Sequence, residues 1–539
     1  MDAEDLRAMV MSRRSALKRG AATAFLLSQA ALFEQVGRTI IRPEPASAAT
    51  APTFPDIQFD LGAFINPAQV LNDGAGNVTA QFPPTYAMFL PAKLNRTPTA
   101  ADQTTLANAL NEIEASYPAS PSGLLIFSVN YGVPYFNRLP QSVVSANMPT
   151  ANTGGPVLVE ATPMPTDVVD GLVGGPGALI PNVVKERFNV NVVIENNDMF
   201  FHFQSDSMVN LAAIPLWFAG SNNLNGVGVP SPNFNGLFTF GTPRIKFMQI
   251  GMPRTMAEQY GFEFAPRINP DSSMAMGFID QQTNSSGPPA IVTFAGNSSA
   301  RMTNAVAGDY FDNGSIAHLS HVIQDLYQFY NAPGQDPNFI TGEPFTERCQ
   351  YMFRSNQLGT SNGVPSLGNA DQFTNGGGPA YINNVFQGTD TAMLGAQDAA
   401  GTFTPTNATL SATTTGEHRF GHEQALQRVS RASDGTPLHI RADGPGLDTM
   451  DVPSFETFPG SGSFQAAGSY QFKLQFLVYV PTATFFAQMR TAQAAQDLQS
   501  EFNVNAGDQG IERFITATRR QNFLVPPRRH RAFPLVELA

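Results

Sequence analysis

The chain has 539 residues, 42% of them hydrophobic and only 14% charged, with a formal net charge of −12. That length allows a large core and is loosely about three domains' worth. The acidic balance excludes a nucleic-acid partner, because phosphate binding needs basic clusters that the body of the chain lacks.

A single cysteine, Cys349, excludes an intrachain disulfide framework and a cysteine-based metal cluster. The 46 Gly and 42 Pro imply long ordered loops around a compact scaffold. Phenylalanine is abundant, 42 residues against the single Trp217, which favours thick apolar packing.

Met11-Ser12-Arg13-Arg14-Ser15-Ala16-Leu17-Lys18-Arg19-Gly20 is strongly basic, an apolar run from Ala21 to Phe33 follows, and the Pro/Ala-rich tail contains Ala46-Ser47-Ala48. A basic start, an apolar middle and an A-x-A exit predict an export signal over residues 1–48. The consecutive arginines before Leu17-Lys18 resemble the bacterial twin-arginine signal, so a periplasmic or extracellular location is expected. An amphipathic helix is the alternative, since Ser28 and Gln29 interrupt the run. The run is too short to span a bilayer, and no stable membrane span is expected.

Residues 54–265 are read as a first domain. A helical patch lies near Ala100 to Ala115, and Gly123-Leu124-Leu125-Ile126-Phe127-Ser128-Val129 reads as a buried strand. A loop from Asn130 to Pro140 and a Gly/Pro-rich connection from Asn152 to Pro181 come next. Asn197 to Gln204 is a strand, and Asp206 to Phe218 a helix capped by Ser205 or Asp206. Arg244 to Gln249 alternates as a half-buried strand should.

Residues 266–539 repeat the order. Ala290 to Phe294 and Gly308 to Asn313 are short strand candidates. Ser315 to Tyr330 reads as an amphipathic helix, with Ile316, Leu319, Val322, Ile323, Leu326 and Phe329 on one face. Gly359 to Gly416 looks like a long excursion. Gln471 to Tyr479 is a strand, Thr482 to Gln499 a helix, Gly510 to Thr518 a shorter helix and Phe523 to Pro527 a closing strand. Two copies of a strand–helix–strand plan predict an α+β protein of two ferredoxin-like domains, antiparallel sheets with packed helices, rather than a parallel Rossmann sheet. No glycine-rich phosphate loop follows a strand.

Among chemistry-bearing residues, His439 stands between two turn signals, Asp434-Gly435-Thr436-Pro437 and Asp443-Gly444-Pro445, with Arg441 two positions on. A histidine held between turns can present one ring nitrogen in a fixed direction, as an iron or zinc ligand must. The bland alternative is a surface or satisfied core histidine. His418 and His422 lie close enough to share a metal on a helix, although Gly421 between them weakens a helix and no third ligand is evident. His318 and His321 fall largely off the apolar stripe of their predicted helix, which reads as solvated. Arg519-Arg520 and Arg528-Arg529-His530-Arg531 read as a solvated basic cluster.

Four segments in this order resemble the dye-decolourising peroxidase family: Asp198-Met199-Phe200-Phe201-His202-Phe203-Gln204-Ser205-Asp206, Met276-Gly277-Phe278-Ile279-Asp280-Gln281-Gln282-Thr283-Asn284, Leu438-His439-Ile440-Arg441, and Leu474 to Gln499 with Phe523-Leu524-Val525-Pro526-Pro527. The resemblance implies two ferredoxin-like domains of the dimeric α/β-barrel superfamily type and a haem b cofactor. By the same resemblance His439 would ligate the iron, Arg441 would meet a haem propionate, Gly277 and Phe278 would line the cofactor, and Asp280 would be the distal acid–base residue. It further implies hydrogen peroxide and a small organic substrate, and leaves a homo-oligomer open.

The sequence departs from the family in two places. The final glycine of the G-x-x-D-G signature is Gln281, and no arginine occurs between Ala442 and Met489 to serve as the family's distal cation. Arg244, Arg254, Arg428 and Arg431 are the candidates to replace it. The alternatives to a peroxidase are a haem-free or haem-carrying binding protein on the same scaffold, and an exported structural protein whose Asn/Gly-rich loops form assembly surfaces.

Overall fold

The computed structural model describes residues 53–64, 69–72, 77–80, 82–173, 185, 187–268, 270, 272–276, 288–296, 302–330, 360–361, 364–365, 411–412, 418–419, 438–454, 467–494 and 511–539. The predicted export signal, Cys349 and most of the Gly359–Gly416 excursion lie outside them.

The described chain is built on one 11-stranded sheet. Its strands are β1 (Tyr86–Leu94), β2 (Leu125–Gly132), β3 (Val193–Ile194), β4 (Met199–Ser205), β5 (Phe238–Phe240), β6 (Arg244–Phe247), β7 (Ser315–Gln324), β8 (Ile440–Arg441), β9 (Gly444–Asp448), β10 (Gln471–Val480) and β11 (Ile515–Val525). The principal helices are α1 (Ala100–Ser116), α2 (Met208–Phe218), α3 (Met252–Gln259) and α4 (Ala483–Ala494).

The strand order shows the repeat. In the first half, β5 and β6 both pair with β1, β1 pairs with β4, and β4 with β2, all antiparallel. In the second half, β11 pairs with β7, β7 with β10, and β10 with both β8 and β9, again antiparallel. Numbering each unit's strands along the chain, both run fourth, first, third, second across the sheet. That is the order of a ferredoxin-like βαββαβ unit. The units join where β11 pairs with β2.

Local chemistry explains several boundaries. α1 opens with a capping box: the Thr99 hydroxyl accepts from the Asp102 N–H while the Asp102 carboxylate accepts from the Thr99 N–H at 2.7 Å. α2 is capped by Ser207 rather than by Ser205 or Asp206. Those two neighbours are engaged elsewhere, because Ser205 donates to the Gly123 carbonyl and Asp206 accepts from both the N–H and the hydroxyl of Thr85. α4 starts beneath the Thr482 hydroxyl, which accepts from the Phe485 N–H at 3.0 Å.

Several expectations are corrected. Ser315–Gln324 is a strand, not the start of a helix; only Leu326–Tyr330 beyond it is helical. The apolar spacing that imitates a helix belongs to a central strand buried on both faces, where strict alternation is not required. Gly510 to Thr518 is not a helix either: a single 3₁₀ turn over Glu512–Phe514 leads into β11. Pro289–Val292 is a 3₁₀ turn, and Gly308 to Asn313 is a set of turns closed by the Gly314 N–H on the Phe311 carbonyl. Arg244–Phe247 is buried throughout, not half-buried.

The sheet separates two apolar regions. The outer face, covered by the helices, holds the larger cluster, including Leu106, Leu110, Leu211, Trp217 and Phe486. The inner face holds residues of both units, Phe89, Phe127, Phe200, Leu319, Leu477 and Phe523 among them. Phe59, from the segment preceding β1, completes this inner cluster by stacking on Tyr479 with centroids 4.4 Å apart.

Candidate functional site

His439 sits immediately before β8 and is 2% exposed. β8 docks on β10 through the pairs Ile440 with Tyr479 and Arg441 with Val478, and the Ala442 N–H donates to the Leu477 carbonyl at 2.8 Å. Alternation along this strand sends Ile440 to the inner cluster and Arg441 to the opposite face, where it lines a cavity between the outer face of the second unit and α4. Burial pulls the Arg441 guanidinium below its usual value, and Asp443 pulls the other way. Asp280, Gly277 and Phe278 lie outside the described residues; His439 immediately precedes β8, and Arg441 ends it.

The cavity measures about 60 Å³. Leu474, Phe476, Phe486 and Met489 form its apolar wall; Lys185, Arg490 and Arg520 add cations, and Asp167 and Glu512 carboxylates. The charges are paired with good geometry. Arg520 grips Asp167 with two bonds of 2.7 Å and donates to the Ser320 hydroxyl at 3.0 Å. Arg490 donates to both oxygens of Glu512, at 2.9 and 3.2 Å, and Thr166 donates to the same carboxylate. Lys185 donates to the carbonyls of Glu512 and Ile515. Burial lowers the Lys185 amine to about 8. Burial would raise Glu512, but Arg490 and Lys185 overcome it and hold the carboxyl at about 2.

His318 extends this polar wall. Its Nδ1 lies 2.6 Å from Asn522 Oδ1, its Nε2 lies 2.6 Å from Ser320 Oγ, and its ring stacks on Phe486 with centroids 3.5 Å apart. Because Asn522 presents its carbonyl oxygen, Nδ1 carries the proton and Nε2 accepts from Ser320. Burial keeps this imidazole neutral, its pKa well below the ordinary value.

On the inner face His321 bridges Thr518 (Nδ1 to Oγ1, 2.8 Å) and Asp448 (Nε2 to Oδ2, 3.1 Å). Asp451 accepts two bonds of 2.7 Å from Arg519. Both histidines are fully buried, contrary to the expectation of solvated side chains on a helix. The basic cluster is corrected likewise: Arg520 and Arg531 are buried, Arg531 and Arg528 pair with Glu114, and Arg529 with Asp56 and Asp312.

Of the candidate replacement cations, Arg244 is paired with Glu195 and Arg254 with Glu258, while Arg428 and Arg431 lie outside the described residues. Arg490 and Arg520, which line the cavity beside Arg441, lie outside the arginine-free stretch from Ala442 to Met489. The signal for Arg490 was present: Phe486, Met489, Arg490 and Gln493 recur at helical spacing on the face α4 turns to the sheet. His418 lies in a short strand paired with Ser411–Ala412, and His422 is outside the described residues. No group of three or more His, Cys, Asp or Glu side chains arranged for a metal ion occurs among the described residues. Among them, no helix is long and apolar enough to cross a membrane.

For haem, the described residues offer a buried imidazole at His439 and, two residues on, a guanidinium that lines the cavity beside Phe476 and Phe486; His439 itself is not part of that lining. The room is the stricter test. Cavities that take ligands of that size run to several hundred Å³, on the order of 300–1,000, so a porphyrin needs a wider cavity than the described residues enclose.

No family model matches the sequence, and no curated protein matches it. Solved structures that match include the encapsulated DyP-type peroxidase from Mycobacterium smegmatis, 14% identical over 82% of this chain and 93% of that one, with a TM-score of 0.39. A putative DyP-type peroxidase from Shewanella oneidensis is 13% identical over 82% and 92%, with a TM-score of 0.40. A dye-decolorizing protein from V. cholerae is 12% identical over 82% and 93%, also with a TM-score of 0.40. These are structures of the family the sequence resembles. The likeness is one of outline, and the ferredoxin-like assignment rests on the strand order of this chain itself.

Proposed function

We propose that this chain is an exported, haem-dependent peroxidase-like oxidoreductase that uses hydrogen peroxide to oxidise small organic molecules. The observation that supports it is a buried imidazole, His439, immediately before the strand that carries Arg441, which faces a cavity with aromatic walls. Haem b, when bound, supplies iron-centred redox chemistry.

The chain's own residues have distinct tasks in this reading. His439 would offer a ring nitrogen to the iron, Arg441 would meet a propionate, and Phe476 and Phe486 would exclude water. Gly277 and Phe278 would line the cofactor. The Asp280 carboxylate takes the proton from one peroxide oxygen and returns it to the departing one, the work of a positioned general acid–base. Peroxide turnover by the haem-loaded chain tests this: Asp280→Asn lowers it by about a hundredfold or more, and unchanged turnover in that variant removes Asp280 from the chemistry.

A second reading, a haem-free binding protein on the same scaffold, is favoured by one feature. Arg490 and Arg520 are already committed to Glu512 and Asp167, and the cavity they share is small. In that case the chain binds a ligand without turning over peroxide.

A further inference from the structure

We infer that the haem-free chain carries a serine nucleophile, Ser320, which takes a short acyl group from an ester with His318 as its base, at the cavity between α4 and the second unit's sheet. The inference goes beyond the peroxidase reading and needs no haem.

Two cross-strand pairs build the arrangement. His318 and Ser320 stand two residues apart on β7 and so share its outer face. In the antiparallel register Asn522 lies opposite His318, and Arg520 opposite Ser320. All four are buried, and Ser320 and Arg520 line the cavity.

The hydrogen bonds run in one direction. Asn522 donates through Nδ2 to the Val159 carbonyl at 3.0 Å, which leaves its Oδ1 to accept from His318 Nδ1 at 2.6 Å. His318 Nε2 then accepts the Ser320 proton across 2.6 Å. A hydroxyl, a base within reach of it and a third group that orients the base make up an activated nucleophile. Arg520, clamped by Asp167 through two of its nitrogens, gives the third to the Ser320 oxygen at 3.0 Å. That sets a cation beside an oxyanion formed there.

The backbone adds a second mark. Thr166, on the wall of the same cavity, is 2% exposed and has φ of 72°, a left-handed conformation that a β-branched residue rarely adopts. Strain of this kind gathers at functional sites.

In the transfer, the Ser320 oxygen bonds to the ester carbonyl carbon while its proton passes to His318 Nε2. The ester C–O bond breaks, and that proton goes to the departing alcohol oxygen, leaving the acyl group on Ser320. Water later adds to the acyl carbon by the same route, releasing the acid and restoring the serine. With about 60 Å³ and roughly 10–15 Å³ for each water-sized group, the cavity holds on the order of four heavy atoms. An acetyl group fits that space, with Phe476, Phe486 and Met489 facing its methyl, and an octanoyl chain does not.

The test is rapid mixing of the purified, haem-free full-length chain with p-nitrophenyl acetate, followed by peptide mass mapping. Loss of the acyl group needs water in a buried site and is the slower step, so nitrophenolate appears in a burst of one equivalent per chain. The acetyl group is found on Ser320, and p-nitrophenyl octanoate gives no burst. Ser320→Ala abolishes burst and label, and His318→Gln slows acetylation by about a hundredfold or more. Asn522 is a positioning residue: Asn522→Leu slows acetylation, and Asn522→Asp, which keeps an acceptor for Nδ1, restores it, a rescue that a purely structural asparagine would not show. Every variant is scored at native circular dichroism; where one misfolds, the position of the label in the wild type decides. Absence of a burst, acetyl on Lys185 or any other side chain in place of Ser320, or an equal burst with the octanoate overturns the inference. Haem uptake is scored separately by its absorption, so failure of either reading leaves the other measurable.

Discussion

Lys246, on the last strand of the first unit, donates to the carbonyl of Ala442, 196 residues later, at 2.6 Å, and also to the carbonyl of Asp443 at 3.3 Å. β6 and β9 do not exchange ladder hydrogen bonds, yet this amine ties the two ends of the curled sheet across their seam. The amine is fully buried, and burial lowers its pKa to about 8, as it does for Lys185. Both values lie below the ordinary 10.5. The unfolded chain therefore binds more protons between pH 8 and 10.5, and stability rises with pH across that window; below 8 the cost of burying the charges is fully present. Urea midpoints at pH 7.5 and 9.5 should differ by the equivalent of about 1 kcal/mol or more per lysine, and Lys246→Met should remove its share of the rise.

The same seam depends on two glycines. A Cβ at Gly446 would stand 2.7 Å from the Ile245 carbonyl oxygen, a backbone atom that cannot move alone. At Gly444 it would stand 3.1 Å from the flexible end of Met248. Gly446→Ala should cost ~1–3 kcal/mol, as overpacking does, and Gly444→Ala distinctly less, both read as shifts in urea midpoint.

Across the cavity wall, Arg520 and Asp167 form a buried bidentate pair. Breaking it from one side leaves an unmatched charge away from water. Asp167→Asn should therefore destabilise the fold by ~3–5 kcal/mol, whereas replacing both partners with leucine should restore most of that loss.

Acid should unfold the chain through a small set of carboxylates. Asp448, raised by burial but lowered further by His321 and Lys473, stands at about 2; Glu512 stands there too, and Asp451 is held lower still by His321 and Arg519. Their ordinary values are 3.8 for aspartate and 4.5 for glutamate. Depressed carboxylates contribute stability that is present above about 4.5 and lost as pH falls towards 2. Urea midpoints between pH 5 and 2.5 should fall steeply, and less steeply in Asp448→Asn.

The repeat of two ferredoxin-like units could be read from the sequence because its outer elements follow simple rules. A helical patch near Ala100 to Ala115 stands out, and Gln471 to Tyr479 alternates. The central strand β7 and the first part of β11 were hidden for one shared reason. Each carries polar residues, His318, Ser320 and His321 in one, Arg519, Arg520 and Asn522 in the other, that a local reading assigns to solvent. Their partners, Asp167, Asp448 and Asp451, are distant in sequence, so only the fold reveals that these groups are buried and satisfied. The turns on either side draw attention to His439 and Arg441, of which the structure places Arg441 at the cavity. Lys185 and Glu512 could not, because nothing near either residue records that the two will meet.

The most direct test is a haemin titration of the purified chain followed by absorption spectroscopy, comparing the wild type with His439→Ala. The account predicts a Soret band saturating at one haem per chain in the wild type and lost in His439→Ala, while the variant keeps the native circular dichroism. A wild-type chain that takes up no haem, or a Soret band that survives unchanged in the His439→Ala chain, would contradict it.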